Sequence, residues 1–153
     1  MKKIAYRLAG VGDIAVLVQL RLDFLVEYGQ NARKVSSLRP AIRKYFSTML
    51  RAGAFVAAVA EVDGVIVGLS GMVYDRHPPQ LKHPNGIYPY IMNVYVRPEF
   101  RRRGIATKLL KMLIREAKNA KANIVTLHFW PGKSELYAKV GFVPREREMQ
   151  LAL

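Results

Sequence analysis

Three β-rich runs follow one another between Phe55 and Val96, and the first two are separated by nothing more than Asp63-Gly64. Phe55 to Val62 and Val65 to Tyr74 are dominated by β-branched and small apolar side chains. Asp-Gly is the dipeptide that supplies the two positive φ angles a tight hairpin turn demands. The hairpin restricts the fold strongly: its strands must be antiparallel neighbours, and a two-stranded ribbon needs further strands or helices to bury its apolar face. Ile87 to Val96 offers such a strand, after a loop from Arg76 to Gly86 that contains His77, Pro78, Pro79, Pro84 and Asn85.

The rest of the chain supplies cover for this sheet. Ile4, Tyr6 and Leu8 alternate within Lys3 to Ala9, as in a short first strand. From Asp13 onward Ile14, Leu17, Leu20, Phe24 and Tyr28 recur at helical spacing, with Asp13 in the first turn and Gly29 as a stop. A second helix is expected from Ser37, as cap, with Pro40 in its first turn and Gly53 as its end. Gly104 to Ala120 puts Ile105, Leu109, Met112, Leu113 and Ala117 on one helical face and Lys108, Lys111, Arg115 and Lys118 on another. Ile124 to Phe129 reads as a strand, Ser134 to Val140 as a short helix, and Phe142 to Leu153 as a last strand or strand pair. The order β-α-α-β-β-β-α-β-α-β places the chain in the α/β (α+β) class, with a mixed sheet and helices on both faces.

At 153 residues and 51% hydrophobic, one domain spanning 1–153 can bury roughly 70% of its unfolded surface without disulfide or metal. No cysteine is present, so thiol catalysis, cysteine-ligated zinc and iron-sulfur centres are excluded. His77 and His83 have no nearby Asp, Glu or His at metal-binding spacing, and no metal is expected. No apolar run is long enough to span a membrane. Arg7 and Asp13 interrupt what would otherwise resemble a signal peptide after Met1-Lys2-Lys3-Ile4, which fits a mature cytoplasmic protein. The net charge of +14 points to an anionic partner.

That charge is concentrated. Residues 97 to 121 hold nine basic and two acidic side chains, half of the net excess. Within them Val94-Tyr95-Val96-Arg97-Pro98-Glu99-Phe100-Arg101-Arg102-Arg103-Gly104-Ile105-Ala106-Thr107 runs from strand to turn to helix start. The first turn of a helix presents unpaired N–H groups and the positive end of the dipole. Gly104 and Ala106 keep side chains away, so a phosphate can approach the backbone, and three arginines add forked donors.

Arg101-Arg102-Arg103-Gly104-Ile105-Ala106 resembles the acetyl-CoA loop, Gln/Arg-x-x-Gly-x-Gly/Ala, of the GNAT superfamily of N-acetyltransferases. Leu136-Tyr137-Ala138-Lys139-Val140-Gly141-Phe142 is similar to that family's Leu-Tyr-x-Lys-x-Gly-Phe segment. The resemblance implies a mostly antiparallel sheet split between its fourth and fifth strands, with acetyl-CoA held by Val94, Tyr95, Val96 and Arg101 to Thr107. It further implies direct transfer of acetyl to a primary amine, with Tyr137 as the acid that protonates the departing thiolate. Glu27 and His128 are the two candidate bases, and water is a third. Many family members carry an Asn seven residues before the motif Tyr; here that position is Trp130, in a stretch closer to a Leu-His-x-x-Pro subgroup, so the Asn contact is assigned to no residue. CoA brings about four negative charges, which accounts for part of the basic excess. It leaves unexplained Arg33, Lys34, Arg39, Arg43 and Lys44 on the second helix, which would border the acceptor side. A basic RNA- or ribosome-binding protein and a CoA-binding domain without transferase activity are the rival classes. The sequence also allows a homodimer.

Overall fold

The computed structural model describes residues 3–145 and 149–152. Its central sheet has the order β1-β2-β3-β4-β5, formed by Ile4–Leu8, Phe55–Val62, Val65–Arg76, Ile87–Val96 and Thr126–Leu127. All neighbours are antiparallel except β4 and β5, which are parallel. The β2–β3 turn is the expected one, with Asp63 at φ 49° and Gly64 at φ 79° and Val62 opposite Val65.

One face of the sheet is covered by α1 (Ile14–Glu27), α2 (Ala32–Ser37) and α3 (Arg39–Arg51), around a core containing Leu17, Leu20, Phe46, Val59 and Leu69. The other is covered by α4 (Ile105–Asn119), whose Ile105, Leu109, Leu110 and Leu113 are fully buried against Ala58, Val67 and Met72. The five-residue α5 (Ser134–Ala138) packs near α4. No helix among the described residues is long and apolar enough to cross a membrane.

The helix expected from Ser37 to Gly53 is present as α3, and a short helix that the sequence did not announce, α2, precedes it. Asn31 caps α2 by accepting the Lys34 N–H at 3.1 Å, and the Ser37 hydroxyl donates back to the Lys34 carbonyl instead of capping α3. Pro40 does sit in the first turn of α3. The strand expected over 124–129 shrinks to Thr126–Leu127, because β5 lies against β4 at Tyr90 and Ile91 alone. Of the last expected strand, residues 142–145 and 149–152 form none, and 146–148 and 153 lie outside the described residues.

Arg7 on β1 ties three elements together. Its guanidinium donates to Asp13 at 2.7 and 3.0 Å and to Glu61 of β2, while Asp13, at the start of α1, also accepts the Gly10 N–H at 2.8 Å. The hydrogen bonds from Arg7, then that from Gly10, hold the Asp13 carboxyl below its usual range. Asp13→Ala is therefore expected to cost about 1–2 kcal/mol and lower the melting temperature by roughly 2–8 °C at neutral pH. A carboxylate with a lowered folded-state pKa stabilises above its unfolded value and loses that contribution as pH falls through the lowered one. Melting curves of the two proteins should accordingly converge in acid.

Candidate active site

The site grows out of an irregularity in β4. Gly71 faces Met92 and Leu69 faces Tyr95, so two steps on β3 match three on β4. The extra residue is a bulge, and Asn93 within it has φ 57°, a conformation Asn tolerates better than most residues. Bulges bend strands, and here β5 stops pairing just before it. Residues Met92 to Val96 thus continue along β4 with no β5 partner beside them. This is the split between the fourth and fifth strands.

Beyond Val96 the chain turns through Pro98–Phe100 and reaches Gly104, the N-terminal cap of α4. Gly104 has φ 73°, where an L side chain is strained, and a Cβ there would meet no protein atom within 4 Å. Glycine avoids that strain, and it leaves open space before the helix. The N–H groups of Ile105, Ala106 and Thr107 precede the first intrahelical donor, Lys108, whose N–H reaches the Gly104 carbonyl at 3.0 Å. No acidic side chain occupies this first turn.

A cleft of about 530 Å³ opens between this helix start, the free stretch of β4, the end of α1 and α5. Of the residues singled out from sequence it gathers Glu27, Val94, Tyr95, Val96, Arg101, Arg102, Gly104, Ile105, Ala106, Thr107 and Tyr137. Arg103 is not among its walls: its guanidinium donates to the Glu99 carbonyl at 3.1 Å and lies over the Phe100 ring. Lys108 of the α4 stripe lies near the Tyr6 ring. Tyr28, Lys133 and Lys139 are lining residues that sequence reasoning did not assign, although Lys139 belongs to the segment that carries the family resemblance. Arg101, Arg102, Lys133 and Lys139 make the cleft strongly cationic, with Glu27 the single carboxylate on its walls among the described residues.

That carboxylate is engaged. Arg101 pairs with Glu27 through Nη2 and donates from Nε to the Val96 carbonyl at 2.8 Å, latching the end of α1 to the end of β4. The Val96 carbonyl is therefore already occupied. The hydrogen bond to Glu27 is the main reason the Arg101 guanidinium is held even more firmly protonated than usual. Next to Glu27, Tyr28 stacks on Trp130 with ring centroids 5.0 Å apart. Trp130, the residue at the family's Asn position, thus packs against the end of α1.

Tyr137 projects from α5 into the cleft, half-buried between Phe129 and Phe142. Burial, reinforced by the neighbouring Tyr28 and Tyr90 phenols, pushes its pKa up to about 12. His128 lies elsewhere. It lines a second cavity of about 440 Å³ behind Tyr137, and its Nδ1 is 2.6 Å from the Tyr90 hydroxyl. Tyr88 packs against His77 and His83 in the proline loop, so these two histidines flank an aromatic ring. No group of three His, Cys, Asp or Glu side chains suited to a metal occurs among the described residues.

This architecture is that of an acetyltransferase. Residues 19–142 match the family model described as "Acetyltransferase (GNAT) family", and the chain belongs to that family, whose acetyl donor is acetyl-CoA. A predicted acetyltransferase from Clostridium acetobutylicum, solved with acetyl-CoA, is 27% identical over 98% of this chain and 96% of its own, with a TM-score of 0.90. A GCN5-related N-acetyltransferase from Ralstonia eutropha JMP134 shares the fold at 24% identity, over 98% of this chain and 99% of its own, with a TM-score of 0.86. An aminoglycoside N-acetyltransferase in complex with CoA shares it at 18% identity, over 100% and 96%, with a TM-score of 0.79. No curated protein matches the chain in sequence.

Proposed function

We propose that the chain is an N-acetyltransferase that moves an acetyl group from acetyl-CoA directly to a primary amine, as a single cytoplasmic domain spanning 1–153. The observation that carries this reading is the meeting, in one cationic cleft, of an open helix start, an unpartnered stretch of β4 and a phenol kept protonated by burial. The donor's polyanionic end fits the N–H groups of residues 105–107 together with Arg101, Arg102, Lys133 and Lys139. Its amide-bearing arm fits the free edge of β4, as an added strand would. When bound, it supplies an acetyl group already activated as a thioester.

The chain's own residues do the rest. Backbone N–H groups in 94–96 stabilise the negative charge that develops on the acetyl oxygen. Tyr137 donates its proton toward the sulfur that leaves. The proton of the amine passes to water, because Glu27 is held by Arg101 and His128 stands outside the cleft. With no cysteine in the sequence and no Gly-x-Ser-x-Gly turn, direct attack needs no acyl-enzyme.

Thiol release from acetyl-CoA should depend on added amine in a panel of small amines and peptide N-termini, with mass spectrometry finding the acetylated amine. Thiol release that ignores the amine, or none with any amine, would remove the transferase reading. Tight, salt-sensitive oligonucleotide binding without acetyl-CoA binding would favour the nucleic-acid class instead.

A further inference from the structure

A third cavity, of about 430 Å³, lies between α1, α3 and β4 on the sheet face opposite α4. Most of its wall is apolar, including Leu38, Ile42 and Met92, but one cation opens into it. Arg21 donates from Nη1 to the Asn93 side-chain oxygen at 2.6 Å and lies over the Phe24 ring. No carboxylate among the described residues pairs with it. Asp23, on the same helix, accepts instead from Gln19 at 2.7 Å, and the charged state of Arg21 is disfavoured by burial. A guanidinium carries five N–H donors, and Asn93 takes one of them. A half-buried cation with spare donors in an apolar cavity is costly unless an anion completes it.

The position of the cavity ties it to the acetyl cleft. Asn93 lines the cavity and Val94, the next residue, lines the cleft; Arg21 and Leu25 line the cavity, and Glu27 and Tyr28 line the cleft. The bulge in β4 is the partition between them. Helices α2 and α3, which border this side, carry six basic residues and no acidic one over 32–51. That field draws in anionic molecules and repels polycations.

We propose that this cavity is the acceptor subsite for a carboxylate, and that the acceptor is a primary amine carrying that carboxylate on a short apolar frame. Arg21 holds the anion, Asn93 fixes the guanidinium, and Leu38, Ile42 and Met92 cover the frame. This rests on the transferase reading above, so the deciding measurement avoids acetyl transfer.

Protein saturated with CoA is titrated calorimetrically with 4-methylpentanoate and, separately, with its primary amide. The carboxylate should bind about ten- to a hundredfold more tightly than the amide, the range of a charge-assisted pair. Arg21→Gln should erase the difference and Arg21→Lys should restore part of it. Leu38→Glu, an exposed change at the rim that leaves Asn93 and the bulge untouched, should weaken carboxylate binding without altering CoA affinity. Equal binding of carboxylate and amide, or a preference that survives both Arg21→Gln and Leu38→Glu, would overturn the assignment. In turnover, amines with a carboxylate should outrun those of the same frame without one; a preference for the uncharged frame would overturn it too. Absence of amine-dependent thiol release with a retained carboxylate preference would strike the transferase reading and leave the anion site standing.

Discussion

Gly104→Glu is expected to weaken acetyl-CoA binding beyond what a calorimetric titration detects, while the protein remains folded. Two effects combine. Gly104 holds φ 73°, and an L side chain there costs about 1–2 kcal/mol of backbone strain. The larger effect is electrostatic: the new carboxylate would stand in the open space before α4, where the N–H groups of residues 105–107 and four basic side chains await an anion. Like-charge juxtaposition costs several kcal/mol, so affinity should fall by roughly three orders of magnitude. Gly104→Ala separates the effects, since it carries the strain without the charge and should weaken binding only about tenfold. Unmodified protein should bind progressively more weakly as salt rises. Retained affinity in a folded Gly104→Glu protein would mean that the donor's phosphates sit elsewhere.

Tyr137→Phe is expected to slow the chemical step by roughly 10²- to 10⁴-fold with little change in acetyl-CoA affinity, the signature of a general acid. The ring between Phe129 and Phe142 is retained in the variant, so packing is preserved and the hydroxyl alone is tested. The direction of the pKa shift adds a second readout. An acid raised to about 12 stays protonated throughout the neutral and moderately alkaline range. The rate of the unmodified enzyme should therefore climb between pH 7 and 10 as the amine loses its proton, with no alkaline fall in that window from Tyr137. In the Phe variant the climb should persist at a lower level. An unchanged rate under conditions where chemistry is limiting would leave Tyr137 as a packing residue.

Much of this site was readable from short-range pattern. Asp63-Gly64 dictated a hairpin because positive φ at both positions is a local steric matter. The strand, the arginine turn, Gly104 and the apolar stripe of α4 were legible for the same reason: each signal lies within a few residues. The caps were less clear. Ser37 is a good capping residue, but it closes the last turn of α2, where its hydroxyl donates to the Lys34 carbonyl, and α3 starts after Leu38 without a side-chain cap.

What the sequence determined by itself was therefore the β2–β3 hairpin, the run of elements from β2 through β4 to α4, and the glycine at the start of that helix. Tertiary structure alone decided which two of three adjacent arginines line the cleft, because that is a question of where the turn sits against β4 and α1. It decided that Glu27 is spent on Arg101, 74 positions away in the chain, and that His128 stands behind Tyr137 with Tyr90. It also joined Arg21 to Asn93 across 72 positions, at a bulge whose register no local pattern encodes. The physical reason is common to all of these. Propensity and periodicity act over a turn of helix or a pair of strands, whereas ion pairs and cavity walls arise only when a sheet's register and its covering helices bring distant residues within a few ångströms.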